Sequence, residues 1–262
     1  MKDIRVTLSQ DIKNIDIIPL GDVHRGSPQF DEALFNKTIK YISENEDCYT
    51  ILLGDLIDNA LKNSKSNIYE ATESPKDSID WIIDKLTPIK HKILAYAPGN
   101  HEERTSREAG IDLSAYIAKC LDIEDRYSNG PFILYISLGT SRNRKGMYQT
   151  FTVFGTHGSG GGSSQAGAVN KILSLANIVP NADIYLMGHT HKPLITFENR
   201  YLINSVAKTH VEHEALYVNG GSFLSFEGSY GEKNLYKPTS KKIPMINLRT
   251  GAKYKKIEVS IL

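Results

Sequence analysis

The feature that most constrains this chain is a short apolar run that recurs five times and stops each time at a glycine followed by a polar group. Ile15 to Leu20 ends at Gly21-Asp22, Ile51 to Leu53 at Gly54-Asp55, and Ile93 to Ala97 at Pro98-Gly99-Asn100. Phe151 to Phe154 ends at Gly155-Thr156-His157, and Ile184 to Met187 at Gly188-His189. Runs this short, rich in Ile, Leu, Val, Tyr and Phe, read as buried strands that end in sharp turns. Helical patterns lie between them. Asp31 to Glu44 places Leu34, Phe35, Ile39 and Ile42 on one face, and Ser74-Pro75 reads as an N-cap with proline at the first helical position, turning Ile79, Ile82, Ile83 and Leu86 inward. Leu113, Ile117, Cys120 and Leu121 repeat at helical spacing, and a fourth pattern runs from Ala166 to Ile178. The alternation predicts a layered α/β fold with extra strands in its second half. Open α/β sheets place ligands beyond the carboxyl ends of their strands, where all five polar stops fall. A glycine before each stop is expected to let the chain turn tightly off the strand.

A chain of 262 residues buries enough surface to need no disulfide framework or structural zinc. It reads as one domain over 1–262, with a motif core of about 15–225 and closing strands over 226–262. Alternating segments such as Leu194 to Leu202 and Ala215 to Val218 read as closing strands of a second sheet. Cys48 and Cys120 form no Cys-x-x-Cys pair and read as small buried hydrophobes in a reducing compartment. The N-terminus lacks the apolar stretch of roughly 7–15 residues that a signal peptide needs, and no apolar run of about 18 residues occurs. The expectation is a cytoplasmic protein with no membrane segment. Lys+Arg number 31 against 30 Asp+Glu, which excludes a wholly basic nucleic-acid coat protein. The balance is uneven, because seven Lys and one Arg face two Glu over 232–262, a net of +6 that leaves −5 over 1–231.

Set side by side, the stops are Gly21-Asp22-Val23-His24, Gly54-Asp55-Leu56-Ile57-Asp58-Asn59, Gly99-Asn100-His101-Glu102, Gly155-Thr156-His157-Gly158 and Gly188-His189-Thr190-His191, and they hold five of the eight histidines. Histidine, carboxylate and amide oxygen without thiolate is the donor mix for Zn, Mn or Fe in a hydrolytic role. The ordered set resembles the calcineurin-like metallophosphoesterase superfamily, whose pattern is Asp-x-His, Gly-Asp-x-x-Asp, Gly-Asn-His-(Asp/Glu), a lone His and Gly-His-x-His. The resemblance implies an αββα sandwich of two mixed sheets flanked by helices, with a dinuclear metal site at the strand ends. It implies that Asp22, His24, Asp55 and His191 hold one divalent ion and Asp55, Asn100, His157 and His189 the other, Mn first, with Zn, Fe, Ni or Co as alternatives. It further implies a metal-bridging hydroxide as nucleophile, His101 as general acid, and Asp58 as the carboxylate that orients His101 and raises its pKa; an Asx turn cap is the plain alternative for Asp58.

The substrate is then an anionic phosphoester. Asn59 stands where protein phosphatases of the superfamily carry Arg, which favours a phosphodiesterase or a nuclease acting on DNA or RNA. Gly-Asn-His-Glu followed by Arg104, with His157-Gly158-Ser159-Gly160-Gly161-Gly162, resembles phosphoesterases of phages and prophages. A phosphomonoesterase, and a non-catalytic binding module on the same fold, are the other readings. Arg25, Arg104 and Arg107 lie near ligands and are candidate phosphate contacts, as are Arg142, Arg144 and Lys145 at a cationic hairpin tip; a solvated surface is the alternative for each. The Gly158 to Gly162 run reads as a loop beside the site, and Asn219-Gly220-Gly221-Ser222 as a turn between closing strands. Oligomeric state is not legible.

Overall fold

The computed structural model describes residues 1–62, 64, 66–140, 147–160, 164–251 and 255–262. In chain order the strands are β1 (Lys2–Thr7), β2 (Asn14–Leu20), β3 (Cys48–Leu52), β4 (Ile93–Tyr96), β5 (Phe132–Leu138), β6 (Gln149–Thr156), β7 (Ile184–Met187), β8 (Leu194–Asn204), β9 (Thr209–Asn219), β10 (Pro244–Arg249) and β11 (Lys256–Ile261). The main helices are α1 (Glu32–Glu44), α2 (Pro75–Leu86), α3 (Glu102–Ala109), α4 (Leu113–Cys120) and α5 (Gln165–Leu173).

Two mixed sheets result, one ordered β1-β5-β6-β7-β9-β8 and the other β11-β10-β2-β3-β4. Ile15, Ile17, Ile51 and Leu53 of the second meet Leu134, Phe151, Val153, Ile184 and Leu186 of the first in a shared core. The outer face of the five-stranded sheet is covered by Phe35, Ile42, Ile79, Ile82, Leu86 and Ile117 from α1, α2 and α4. The outer face of the other sheet packs Phe154, Tyr185 and Tyr217 against Ile172 of α5. Strands between two covered faces need apolar side chains on both, so β3, β4 and β7 are near-continuous apolar runs. Asp31, Ser74, Asp112 and Ser164 cap α1, α2, α4 and α5, each side chain accepting a hydrogen bond from the first turn.

The αββα sandwich matches the expectation, with two corrections. The C-terminal strands do not close one second sheet. β8 and β9 extend the six-stranded sheet because β9 runs parallel to β7, whereas β10 joins the other sheet antiparallel to β2, with β11 outside it. Only Cys48 is buried. Cys120 is exposed, since the inward stripe of α4 is Leu113, Ser114, Ile117 and Ala118, and position 120 turns off it. Among the described residues no helix is long and apolar enough to cross a membrane.

Candidate metal centre

The turns after β2, β3, β4, β6 and β7 bring their polar side chains together. Asp22 Oδ1 lies 3.2 Å from His191 Nε2, which is 3.0 Å from His24 Nε2. Beside this group, His157 Nε2 is 3.3 Å from Asp55 Oδ2 and 3.0 Å from Asn100 Oδ1, and Asn100 Oδ1 is 2.8 Å from His189 Nδ1. His24 Nε2 joins the halves at 3.8 Å from both Asp22 Oδ1 and Asp55 Oδ2. All seven side chains expected to hold metal therefore lie together: six form two groups, Asp22-His24-His191 and Asp55-His157-His189, with the potential ligand atoms of each group within 4.8 Å of one another, and the seventh, Asn100, stands between His157 and His189.

The turns are built differently from the expectation. Of the glycines that precede the stops, only Gly54 has a positive φ, at +75°. The left-handed backbone falls instead on Asp22, His24, Asp55, His189 and His191, with φ of 50°, 52°, 49°, 65° and 55°. Such residues cost of order 1–3 kcal/mol each and persist where the surroundings hold them. Here the loops are stitched together: Asp22 N donates to Gly54 O at 3.0 Å, His24 N to Asp55 O at 2.9 Å, and His189 N to Asp22 Oδ2 at 2.7 Å. The other glycines provide space. A Cβ on Gly99 would lie 2.0 Å from Asp55 N, and one on Gly188 2.7 Å from Asp22 Oδ2.

The electrostatics fit cations. Asp22 and Asp55 are fully buried, which opposes their charge, yet the surrounding histidines hold both carboxyls well below the usual range. Burial also works against a charged His24, but the carboxylates of Asp22, Asp58 and Asp55 push it up to about 10; His157, opposed by burial, is pushed up to about 9, chiefly by Asp55. Protons thus sit where positive charge is wanted. Asp22 Oδ1 is buried without a hydrogen-bond partner, a cost of about 1–3 kcal/mol that a cation would remove. The contact of His157 Nδ1 with Leu53 O at 2.6 Å requires a proton on Nδ1, so Nε2, which faces Asp55 and Asn100, is the nitrogen that would give up its proton and offer its lone pair to a cation. Oxygen and imidazole donors without thiolate suit Mn, Fe, Co, Ni or Zn, so these residues fit divalent ions.

His101 stands at the rim. Its Nδ1 is 2.7 Å from the Asp58 carbonyl oxygen and 3.3 Å from Asp58 Oδ1, and its Nε2 is 2.8 Å from Arg104 Nη2. A guanidinium only donates, so Nε2 accepts and Nδ1 carries the proton. Asp58 does orient this ring, but it does not set the direction of the shift. Burial, with the positive charge of His24 and Arg104, outweighs Asp55 and Asp58 and lowers the His101 pKa.

Residues 15–193 match the model of the calcineurin-like phosphoesterase family. The chain belongs to this family. No curated protein matches the sequence. Among solved structures, a metallophosphoesterase from Sphaerobacter thermophilus aligns at 13% identity over 94% of this chain and 88% of that one, TM-score 0.40. GAP50 of Plasmodium aligns at 11% identity over 95% and 84%, TM-score 0.42, and Vps29 of Entamoeba histolytica in complex with Zn²⁺ at 11% over 94% and 99%, TM-score 0.35. Similarity at this level says nothing of substrate. Family membership makes the general chemistry metal-dependent phosphoester hydrolysis.

Two residues of this phosphoesterase that the sequence did not single out support the cluster. Glu102 is buried, with Oε2 accepting from Asp55 N at 3.0 Å and Oε1 from Leu56 N at 2.6 Å and Ile57 N at 3.2 Å. Its signal was its place in the Gly99-Asn100-His101-Glu102 motif. Asn219, which read as part of a plain turn, is buried at the end of β9 and donates through Nδ2 to Gly188 O at 3.0 Å and Thr190 Oγ1 at 2.9 Å. Asn59, in the phosphatase Arg position, ties His101 O to Thr105 Oγ1 from its Nδ2, at 2.6 and 3.0 Å.

The candidate phosphate contacts separate. Arg104 lines the site and holds Asp58 O at 2.9 Å. Arg25 is committed elsewhere: its fork meets both oxygens of Glu73 at 2.7 and 2.6 Å, Nη1 reaches Glu32 at 3.1 Å, and the guanidinium lies 4.3 Å from the Trp81 ring centre. Arg107 pairs with Glu103 at 2.7 Å on the exposed side of α3. Arg142, Arg144 and Lys145 lie outside the described residues, as do Gly161 and Gly162. Above the cluster of this phosphoesterase opens a cleft of about 580 Å³, whose walls carry Arg104, Lys192, Lys233 and Lys237 and the aromatic Phe226 and Tyr236.

Proposed function

We propose that this protein is a two-metal phosphodiesterase that cleaves nucleic acid. The observation that carries the reading is the cleft: its floor is the His/Asp cluster, and its walls add four cationic side chains and two aromatic ones. A monoester needs no such extended wall. A polynucleotide presents further phosphates to cations and bases to aromatic faces on either side of the scissile bond.

Asp22, His24, Asp55 and His191 would hold one ion, and Asp55, Asn100, His157 and His189 the other. When bound, divalent ions supply Lewis-acid charge for phosphate oxygens and lower the pKa of a water enough for it to attack at neutral pH. The chain's own residues supply the rest. Arg104 gives a guanidinium fork to the phosphate. An arriving anion draws it away from His101 Nε2, removing one cause of that histidine's lowered pKa, so that Nε2 carries the proton the leaving oxygen needs. Asp58, through its carbonyl oxygen, keeps the other ring proton on Nδ1.

The test is a substrate panel run with Mn, Zn, Fe, Ni and Co in turn, covering nitrophenyl mono- and diesters, cyclic nucleotides, single- and double-stranded DNA, and RNA. Diesters and oligonucleotides are expected to turn over, with activity at background after chelation and in Asp55→Asn. His101→Asn should spare bis-p-nitrophenyl phosphate, whose leaving group needs no proton, and slow oligonucleotide cleavage by about 10²–10⁴-fold. Preference for monoesters would replace this reading with a phosphatase, and no hydrolysis with any metal would sink it.

A further inference from the structure

β8 is the last strand of its sheet, and among the described residues nothing pairs with its outer edge. β9 is held to β7 only over Leu216–Asn219, so the β8–β9 pair beyond Glu198 and Ala215 runs past the sheet as a two-stranded ribbon. Such a ribbon is marginal in water by itself. Edge strands of soluble proteins are usually blunted by Lys, Pro or a bulge. β8 reads Leu-Ile-Thr-Phe-Glu-Asn-Arg-Tyr-Leu-Ile-Asn, with no Lys, Pro or bulge and an unbroken register against β9; its only charges, Glu198 and Arg200, pair with each other at 2.9 Å. Its open face carries Phe197, Tyr201 and Ile203 at 45%, 70% and 84% exposure.

The sequence of this edge is its own complement. Two copies related by a two-fold axis normal to the sheet keep the same faces up, so the axis must pass through a residue and facing residues share a face. Placed on Asn199, it sets Glu198 against Arg200 of the second copy, Phe197 against its Tyr201, and Ile195 against its Ile203. The Glu198–Arg200 pair of each strand, 2.9 Å apart, then lies against the reversed pair of the other, so that the four charges alternate in sign across the seam, and aromatic meets aromatic. Moved to Glu198 or Arg200, the axis sets like charges face to face; moved to Phe197 or Tyr201, it leaves the charges opposite uncharged residues. We propose that this protein forms a homodimer by antiparallel pairing of β8 with β8 of a second copy about Asn199, joining the two six-stranded sheets into one.

The experiment is sedimentation equilibrium, with hydrolytic activity recorded as the check that each variant is folded. Wild-type protein should be a dimer. Glu198→Arg alone opposes Arg to Arg, and Arg200→Glu alone opposes Glu to Glu, so each should be monomeric; mixed one to one, they should form a heterodimer. Arg200 also pairs with Glu198 of its own strand at 2.9 Å and contacts Pro180 O and the Tyr217 hydroxyl, so Tyr201→Lys at an exposed position is the second disrupting variant and should be monomeric and active. Register is read by a cysteine. In a Cys120→Ser background, Asn199→Cys should oxidise to a disulfide-linked dimer, because residues facing across an antiparallel pair have Cα atoms about 4.5–5.5 Å apart, within disulfide reach. Tyr201→Cys, which faces Phe197, should not. A wild-type monomer at every concentration up to solubility, a dimer that survives Tyr201→Lys, or crosslinking at 201 and not at 199 would overturn the proposal.

Discussion

At the scale of single residues, the cluster rests on a carboxylate outside the ligand set. Glu102 accepts backbone hydrogen bonds from Asp55, Leu56 and Ile57 and so fixes the turn on which Asp55 sits in a left-handed conformation. Burial, then the charge of Asp55, push its carboxyl up from 4.5 to about 7. A carboxyl whose pKa is higher folded than unfolded binds more protons in the folded state, so its contribution to stability is complete below about pH 4.5 and is lost as pH rises through about 7. Glu102→Gln cannot titrate, and its amide turns a donor toward a backbone N–H. In metal-free protein the variant is expected to be less stable at pH 4.5, with the gap to wild type narrowing toward pH 7. One proton sets the steepest slope, about 1.4 kcal/mol per pH unit. Urea unfolding in chelator across that range measures it, and a gap that widens with pH would contradict the assignment.

At the scale of elements, the end of β9 holds the turn after β7. Asn219 satisfies Gly188 O and Thr190 Oγ1 with its amide nitrogen, while its Oδ1 accepts from Gly221 N at 3.1 Å. Asn219→Ala leaves these buried groups without their partner, so we expect a loss of about 1–3 kcal/mol in unfolding free energy. Because the same turn aims His189 and His191, metal affinity in isothermal titration should fall by about 10–100-fold; unchanged affinity would show that the turn holds its shape without the brace. This brace also marks the limit of what the sequence discloses. β2, β3, β4, β6 and β7 were legible because each is a buried apolar run cut by a polar stop, and α1 and α2 because an apolar stripe follows a cap. The residues of the His/Asp cluster were legible because they sit at the stops themselves. α3 was not, since Glu102 is its one buried residue and no apolar period exists to read. Asn219 and Glu102 escaped notice because their partners are backbone groups 31 and 45 to 47 residues away, brought near only by the sheet order. The left-handed backbone of Asp22, His24, Asp55, His189 and His191 escaped too, because their φ values are imposed by neighbouring loops and not by their own side chains.

At the scale of the whole molecule, the question is where the basic excess of 232–262 goes. Two of its charges are neutralised by carboxylates from elsewhere in the chain, Lys241 by Asp31 at 2.7 Å and Lys255 by Asp183 at 2.7 Å, while Arg249 and Lys256 share Glu258 of the same segment at 3.0 and 2.8 Å. Lys233 and Lys237 instead join Arg104 and Lys192 in the cleft wall, where Lys233 has one carboxylate nearby, Glu70 at 3.4 Å. An almost neutral chain thereby presents a cationic track over its reactive cluster and ion pairs elsewhere. If a nucleic acid strand lies in that track, its affinity must fall with salt in proportion to the phosphates neutralised there, about 0.7 log units per log unit of salt for each contact on a single strand. Lys233→Gln with Lys237→Gln should then lower the slope by about 1.4, whereas Lys255→Gln with Lys256→Gln, on the far ion pairs, should leave it unchanged. Fluorescence anisotropy with a labelled single-stranded oligonucleotide measures this, in chelator so that no turnover intervenes. Equal slopes for the two double variants would mean that bound strands do not follow the cleft. The cleft wall would then have to be explained by a smaller anionic diester, and the nucleic-acid reading would be dropped while the hydrolytic one stood.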